Sequence, residues 1–152
     1  MAVDASAPWL HEGGCHCGSL RFEYRIPVAP SAWSVRTCNC SFCRAHRGIA
    51  TSHPDAEIEF RETAPGTLQR YRFGQRTADF LICTRCGVHV GVVMEVDGAW
   101  FGIINLNTLR ETPEGLPEPQ KRDFGEESPA QRIARRKSTW ARARVSVAMQ
   151  GT

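Results

Sequence analysis

All seven cysteines of the chain fall into three short runs: Cys15-His16-Cys17, Cys38-Asn39-Cys40-Ser41-Phe42-Cys43 and Cys83-Thr84-Arg85-Cys86. Within each run neighbouring cysteines are separated by only one or two residues, and the total is odd. Both facts argue against a disulfide framework. What tight runs of thiols do well is converge on a metal ion, since a thiolate is a soft, anionic donor that zinc binds strongly. Any fold for this chain must therefore bring these runs to points where sulfurs can meet.

The rest of the composition fits one domain of 152 residues with an ordinary core. Pro and Gly together number 22, which favours turns and short strands over long helices. No stretch approaches the roughly 20 apolar residues of a membrane span. The opening Met1-Ala2-Val3-Asp4-Ala5-Ser6 lacks the basic and apolar regions of a secretion signal. A cytoplasmic location is expected, and thiols stay reduced there. The formal charge of +3 is not a strong basic balance. Seven thiolates and two zinc ions would together change it by −3, to about neutral, which weakens the case for nucleic-acid binding.

The patterning is mainly β. Leu20, Phe22, Tyr24 and Ile26 alternate with polar residues, as do Trp33 with Val35 and Ile58 with Phe60, each a half-buried strand pattern. Val88, Val90, Val92, Met94 and Val96 are expected to share one strand face. Asp97-Gly98 is a favoured two-residue hairpin turn, and the returning Ala99 to Leu106 is apolar on both faces, as in a central strand. Residues 111–127 read as an irregular surface segment. Ser128-Pro129-Ala130-Gln131 then signals a short C-terminal helix to about Thr139, with a capping residue, a first-turn proline and a capping-box partner. The expected organisation is a leader over 1–12, one zinc-binding domain over 13–140 and a basic, polar tail over 141–152.

The cysteine runs divide by count. Cys83 and Cys86 make half of a tetrahedral site, and Cys15 with Cys17, also flanked by glycines, is the natural other half. Four thiolates make a closed site of structural type. Cys38, Cys40 and Cys43 remain. Three protein ligands with a free fourth position are the pattern of a catalytic zinc. The alternative is that His46, His53 or His89 closes this second site.

The segment Gly13-Gly14-Cys15-His16-Cys17-Gly18-Ser19-Leu20-Arg21-Phe22 resembles the opening of glutathione-dependent formaldehyde-activating enzymes and of centromere protein V. Cys38-Asn39-Cys40-Ser41-Phe42-Cys43-Arg44 and Cys83-Thr84-Arg85-Cys86-Gly87 are similar to the second and third signatures of that family. The resemblance covers residues 13–106. It implies a β-tent fold, a set of small coiled antiparallel sheets with two zinc sites, one structural (Cys15, Cys17, Cys83, Cys86) and one catalytic (Cys38, Cys40, Cys43). It also implies a carbon–sulfur lyase, working in the direction that adds the thiol of glutathione to formaldehyde. The partners implied are a small thiol and a small aldehyde. Asn39 departs from the family, which often has histidine there.

Arg44, His46 and Arg47 directly follow the three-cysteine run and are candidates to receive an anionic substrate. Their other reading is charge balance for a zinc–thiolate group. Arg132, Arg135, Arg136 and Lys137, with Arg142 and Arg144 after them, read as a solvated helix face and tail, since no aromatic interleaving accompanies the charges. The competing functional class is a non-catalytic, zinc-stabilised interaction or nucleic-acid-associated module. A histidine closing the three-cysteine site would favour it.

Overall fold

The computed structural model describes residues 9–149. Its first strands are β1 (Trp9–Gly14) and β2 (Leu20–Ile26), then β3 (Ser34–Cys38), helix α1 (Ser41–His46) and β4 (Ala50–Ser52). β5 (Glu57–Glu62), β6 (Leu68–Tyr71) and β7 (Asp79–Cys83) follow, then the hairpin of β8 (His89–Val96) and β9 (Ala99–Asn105). β10 (Gln120–Arg122), helix α2 (Pro129–Thr139) and β11 (Ala141–Ser146) complete the order. The chain is mainly β with one short helix near its C-terminus, as expected.

The strands form one hydrogen-bonded network. Its path runs β1-β2-β5-β11-β9-β4-β3-β10, and β8, β7 and β6 branch from β9. The arrangement differs in two respects from the expected set of small coiled antiparallel sheets. The sheets are joined through β9, which bonds to β8, β4 and β11. Two pairings, β11 with β5 and β10 with β3, are parallel. β9 is central because Phe101, Ile104 and Asn105 are all buried.

Both ends of the expected organisation need correction. The supposed leader includes β1, which pairs with β2 along its whole length, while residues 1–8 lie outside the described residues. The supposed tail includes β11, which sits between β5 and β9. Ala141 and Ala143 of β11 face the core and Arg142 and Arg144 face water, so its charges alternate with small buried residues. Residues 150–152 of that tail lie outside the described residues. The segment 111–127 also carries a strand, β10, against β3.

Two apolar clusters lie in the fold. The larger gathers residues such as Leu20, Phe22, Tyr24, Ile58, Phe60, Leu81, Val90 and Ile104. The smaller packs Trp140 and Ile133 of the α2 region onto Val92, Met94 and Phe101. The expected single valine face of β8 is split between them. The register against β7 slips at Leu81/Ile82, so Val90 is an extra residue in β8. Val90 therefore joins the larger cluster and Val92 and Met94 the smaller one. Gly91 sits at the slip, where a Cβ would come within 2.6 Å of the Phe60 ring.

Asp97 (φ 52°) and Gly98 (φ 82°) make the β8–β9 turn, with both residues left-handed as a type I′ turn requires. α2 starts in the expected capping box: Gln131 N–H donates to Ser128 Oγ (3.2 Å) and Ser128 N–H to Gln131 Oε1 (2.9 Å). No helix among the described residues is long and apolar enough to cross a membrane.

Candidate metal centres and the adjoining cavity

The fold brings the cysteine runs together in a 4+3 pattern. The sulfurs of Cys15, Cys17, Cys83 and Cys86 lie within 4.8 Å of one another, as do those of Cys38, Cys40 and Cys43. The first group joins the β1–β2 turn to the turn after β7. Both turns fold back on themselves. Cys15 N–H donates to Leu20 O (2.9 Å) and Gly87 N–H to Cys83 O (2.8 Å), with Gly18 (φ 82°) and Gly87 (φ 81°) left-handed. Leu20 N–H also points at Cys15 Sγ (3.2 Å), and Arg85 N–H at Cys83 Sγ (3.4 Å). Such donors stabilise thiolates.

The donor set fits zinc. Four Zn–S bonds of about 2.3 Å in a tetrahedron put sulfurs about 3.8 Å apart. Cys17 Sγ lies 3.7 Å from Cys15 Sγ and 3.6 Å from Cys83 Sγ. The local charge chemistry agrees. The Ser19 hydroxyl beside Cys17 (3.2 Å) lowers its thiol to about 6, whereas burial pushes Cys15 up to about 11.

The second group is local in sequence. Cys38 ends β3, Cys40 is the N-cap of α1, and Cys43 lies in its first turn. Cys43 N–H donates to Cys40 Sγ (3.4 Å), so sulfur takes the place of a capping oxygen. Cys40 N–H donates in turn to Cys38 Sγ (3.4 Å). Hydrogen bonds from the Cys38 and Cys43 thiols hold Cys40 far below the usual thiol range, and the bonds to Cys38 and Cys40 push Cys43 up.

No histidine joins the three sulfurs among the described residues. His46 Nδ1–H donates to Phe42 O (3.0 Å), and His53 Nδ1 accepts from Asp55 N–H (3.0 Å). His89 is buried against Phe42 and Phe80, with Nδ1 at 3.3 Å from Leu81 O. Burial lowers its pKa to about 4, so its ring is neutral near pH 7.

Beside the three cysteines lies a cavity of 320 Å³. Cys38, Cys40 and Cys43 form part of its wall, and Phe73, Phe80 and Trp140 are among its apolar residues. Arg44, His46 and Arg47 stand elsewhere, exposed and outside the lining. The basic residues of the wall are Arg36, Arg132, Arg135 and Arg136. The basic stretch of α2 is therefore not the continuous solvated face expected. Arg136 is only 8 % exposed, and Arg132 and Arg135 pair with Glu127. The sequence held one unused signal for Arg36: it lies two residues before Cys38, on the same face of a strand.

A family model described as glutathione-dependent formaldehyde-activating enzyme matches residues 10–126. The chain is also similar to a Rhodobacter sphaeroides protein of solved crystal structure, with 28 % identity and a TM-score of 0.54. That alignment covers 73 % of this chain and 99 % of the other. α2 and β11 lie beyond the residues matched by the family model.

Proposed function

The chain belongs to the glutathione-dependent formaldehyde-activating enzyme family, and from that premise we propose that it adds a thiol such as glutathione to a small aldehyde beside Cys38, Cys40 and Cys43. In reverse this is a carbon–sulfur lyase reaction. The sulfur bonds to the carbonyl carbon, the thiol proton ends on the carbonyl oxygen, and nothing is oxidised or reduced. The observation that carries the reading is the convergence of three sulfurs on a cavity wall, with no fourth His, Cys, Asp or Glu donor among the described residues.

On this reading each chain takes two zinc ions and has the β-tent architecture of the family. Cys15, Cys17, Cys83 and Cys86 hold the structural ion, and Cys38, Cys40 and Cys43 the catalytic one. Zinc bound by three cysteines would supply an open coordination position and a positive charge that favours thiolate over thiol. The chain's own residues do the rest. Backbone N–H groups of Cys40 and Cys43 fix two of the sulfurs. Phe73, Phe80 and Trp140 exclude water from the approach and confine the reactants, which raises their effective concentration. The neutral His89 ring in the same wall offers no acidic proton that would quench a thiolate.

The competing interaction module gains nothing from the three-cysteine cluster, which no histidine closes among the described residues. The test is the rate of thiol loss with glutathione and a panel of aldehydes, for native protein and Cys40→Ser. Acceleration by native protein that falls to the uncatalysed rate in Cys40→Ser is expected. No acceleration with any aldehyde, and no binding of glutathione, would remove the enzyme reading.

A further inference from the structure

Two guanidinium groups are buried in the cavity wall with no carboxylate among the described residues to pair them. Arg36, on β3, is 9 % exposed and donates only to the hydroxyls of Ser34 (3.4 Å) and Ser52 (3.0 Å). Arg136, on α2, is 8 % exposed. Its Nη1 donates to Thr77 Oγ1 (2.8 Å), its guanidinium lies over the Trp140 ring (4.7 Å), and its Nε has no partner. The Trp140 Nε1 in the same wall is also buried without one. By contrast, Arg135 is neutralised by Glu127 through two bonds of 2.9 and 3.0 Å. Among the described residues, the one carboxylate of the wall, Asp123, is exposed and accepts from Gly125 N–H (2.9 Å).

An arginine keeps its charge at any working pH, and burying it unpaired is costly. A thiolate cluster nearby eases that cost through space. It does not satisfy the N–H groups of Arg136 and Trp140, which need an acceptor atom within reach. Arg36 and Cys38 share a face of β3 two residues apart, so an anion on Arg36 lies about 7 Å along the strand from the cysteine cluster. Formaldehyde has neither a charge nor an apolar body to fill such a space.

We infer that this cavity is a carboxylate site, and that the aldehyde presented to Cys38, Cys40 and Cys43 is a small one bearing a carboxylate on an apolar body. The aldehyde part rests on the thiol-addition reading above; the carboxylate part stands without it. Glutathione also carries carboxylates, and its competition with benzoate tells which of the two reactants occupies the arginine site. α2, outside the span of the family match, contributes Arg136 and leads directly into Trp140, which makes it the element that sets this preference.

The test has a binding arm and a rate arm, both with the zinc-loaded full chain. Benzoate and benzamide are titrated against native protein, Arg136→Met and Arg36→Met by calorimetry, with zinc content and circular dichroism as controls. Benzoate should bind at least tenfold tighter than benzamide, and either substitution should erase most of that difference. Arg136→Met without ligand should melt no lower than native protein, since it removes a buried unpaired charge. In the rate arm, 4-carboxybenzaldehyde should surpass benzaldehyde at least tenfold in kcat/KM with glutathione, and Arg136→Met should level the two. Equal binding of benzoate and benzamide would overturn the proposal. So would benzoate binding that survives in whichever of the two variants folds. Displacement of benzoate by glutathione would overturn the assignment to the aldehyde. Selective benzoate binding with no thiol addition to any aldehyde would uphold the carboxylate site and remove the catalytic reading alone.

Discussion

The two cysteine clusters use the same donor atom and differ in what they hold together. The four-sulfur cluster spans the chain: Cys17 and Cys83 meet across 66 residues of sequence. Two of its members, Cys15 and Cys83, belong to the larger core. The three-sulfur cluster lies within six consecutive residues at the end of one strand and the start of one helix. All three of its cysteines are only partly buried and face a cavity. Joining distant segments removes chain entropy from the unfolded state, and closing a six-residue loop removes little. On the proposed zinc reading, the same chemistry serves as a staple in one place and leaves its reactivity available in the other.

The sharpest way to break this contrast is to remove one sulfur from each cluster. Cys83→Ser should abolish the cooperative thermal transition. Structural zinc contributes roughly 10 kcal/mol or more, comparable to the whole stability of a domain. Cys40→Ser should lose one metal and keep the transition within a few degrees, because serine also caps a helix well at that position. Circular dichroism melts with elemental analysis decide it. Equal damage from the two substitutions would end the distinction.

A second effect should fall on the cavity side alone. His89 is held neutral by burial, with its pKa lowered to about 4 from 6.5. Between those values the unfolded chain binds the extra proton and the folded chain does not. Stability is therefore complete above about pH 6.5 and is lost as pH falls toward 4. The cost is about 2 kcal/mol at pH 5 relative to pH 7, on the order given by the shift. Urea denaturation at both pH values, on native protein and His89→Gln, should show a smaller pH dependence in the variant. Identical pH dependence would mean His89 is not the group responsible.

Glycines flanking the clusters give the smallest contrast. A Cβ on Gly14, next to Cys15, would sit 2.3 Å from Leu20 O, whereas one on Gly48, after α1, meets nothing within 4 Å. Gly14→Ala should destabilise by about 1–3 kcal/mol, and Gly48→Ala should stay within about 0.5 kcal/mol of native. Comparable losses from both, by denaturant titration, would show that backbone crowding does not distinguish the two regions.

Legibility in the sequence followed the range of the forces involved. The 4+3 grouping, the Asp97-Gly98 turn and the Ser128 capping box were readable because each is set by residues a few positions apart or by ligand chemistry. β1 was not, since Trp9-Leu10-His11-Glu12 has no alternation and its pairing is supplied by β2. β11 does alternate, as Ala141-Arg142-Ala143-Arg144-Val145, but small residues in an arginine-rich stretch look like a tail. The bulge in β8 depends on β7 and leaves no mark in the valine pattern. Arg136 is the clearest miss. Its three neighbouring cations look alike in sequence, and only the seating of α2 decides which one is buried.

The position of β11 also bears on how the molecule is made. A ribosome delivers Cys86, and with it all four sulfurs of the staple, 55 residues before Ala141. At roughly 5–20 residues per second that is an interval of several seconds. During it β5 and β9 lack the strand that joins them, and the smaller core lacks Trp140. Pairing β11 with β5 spans more than eighty residues of sequence, the kind of contact that forms late and slowly. Metal capture by the nascent chain can thus precede the closure of the sheet. On the proposed zinc reading, the staple would hold β1, β2 and β7 as a template onto which the final strand docks, and the cavity would acquire Arg136 and Trp140 late.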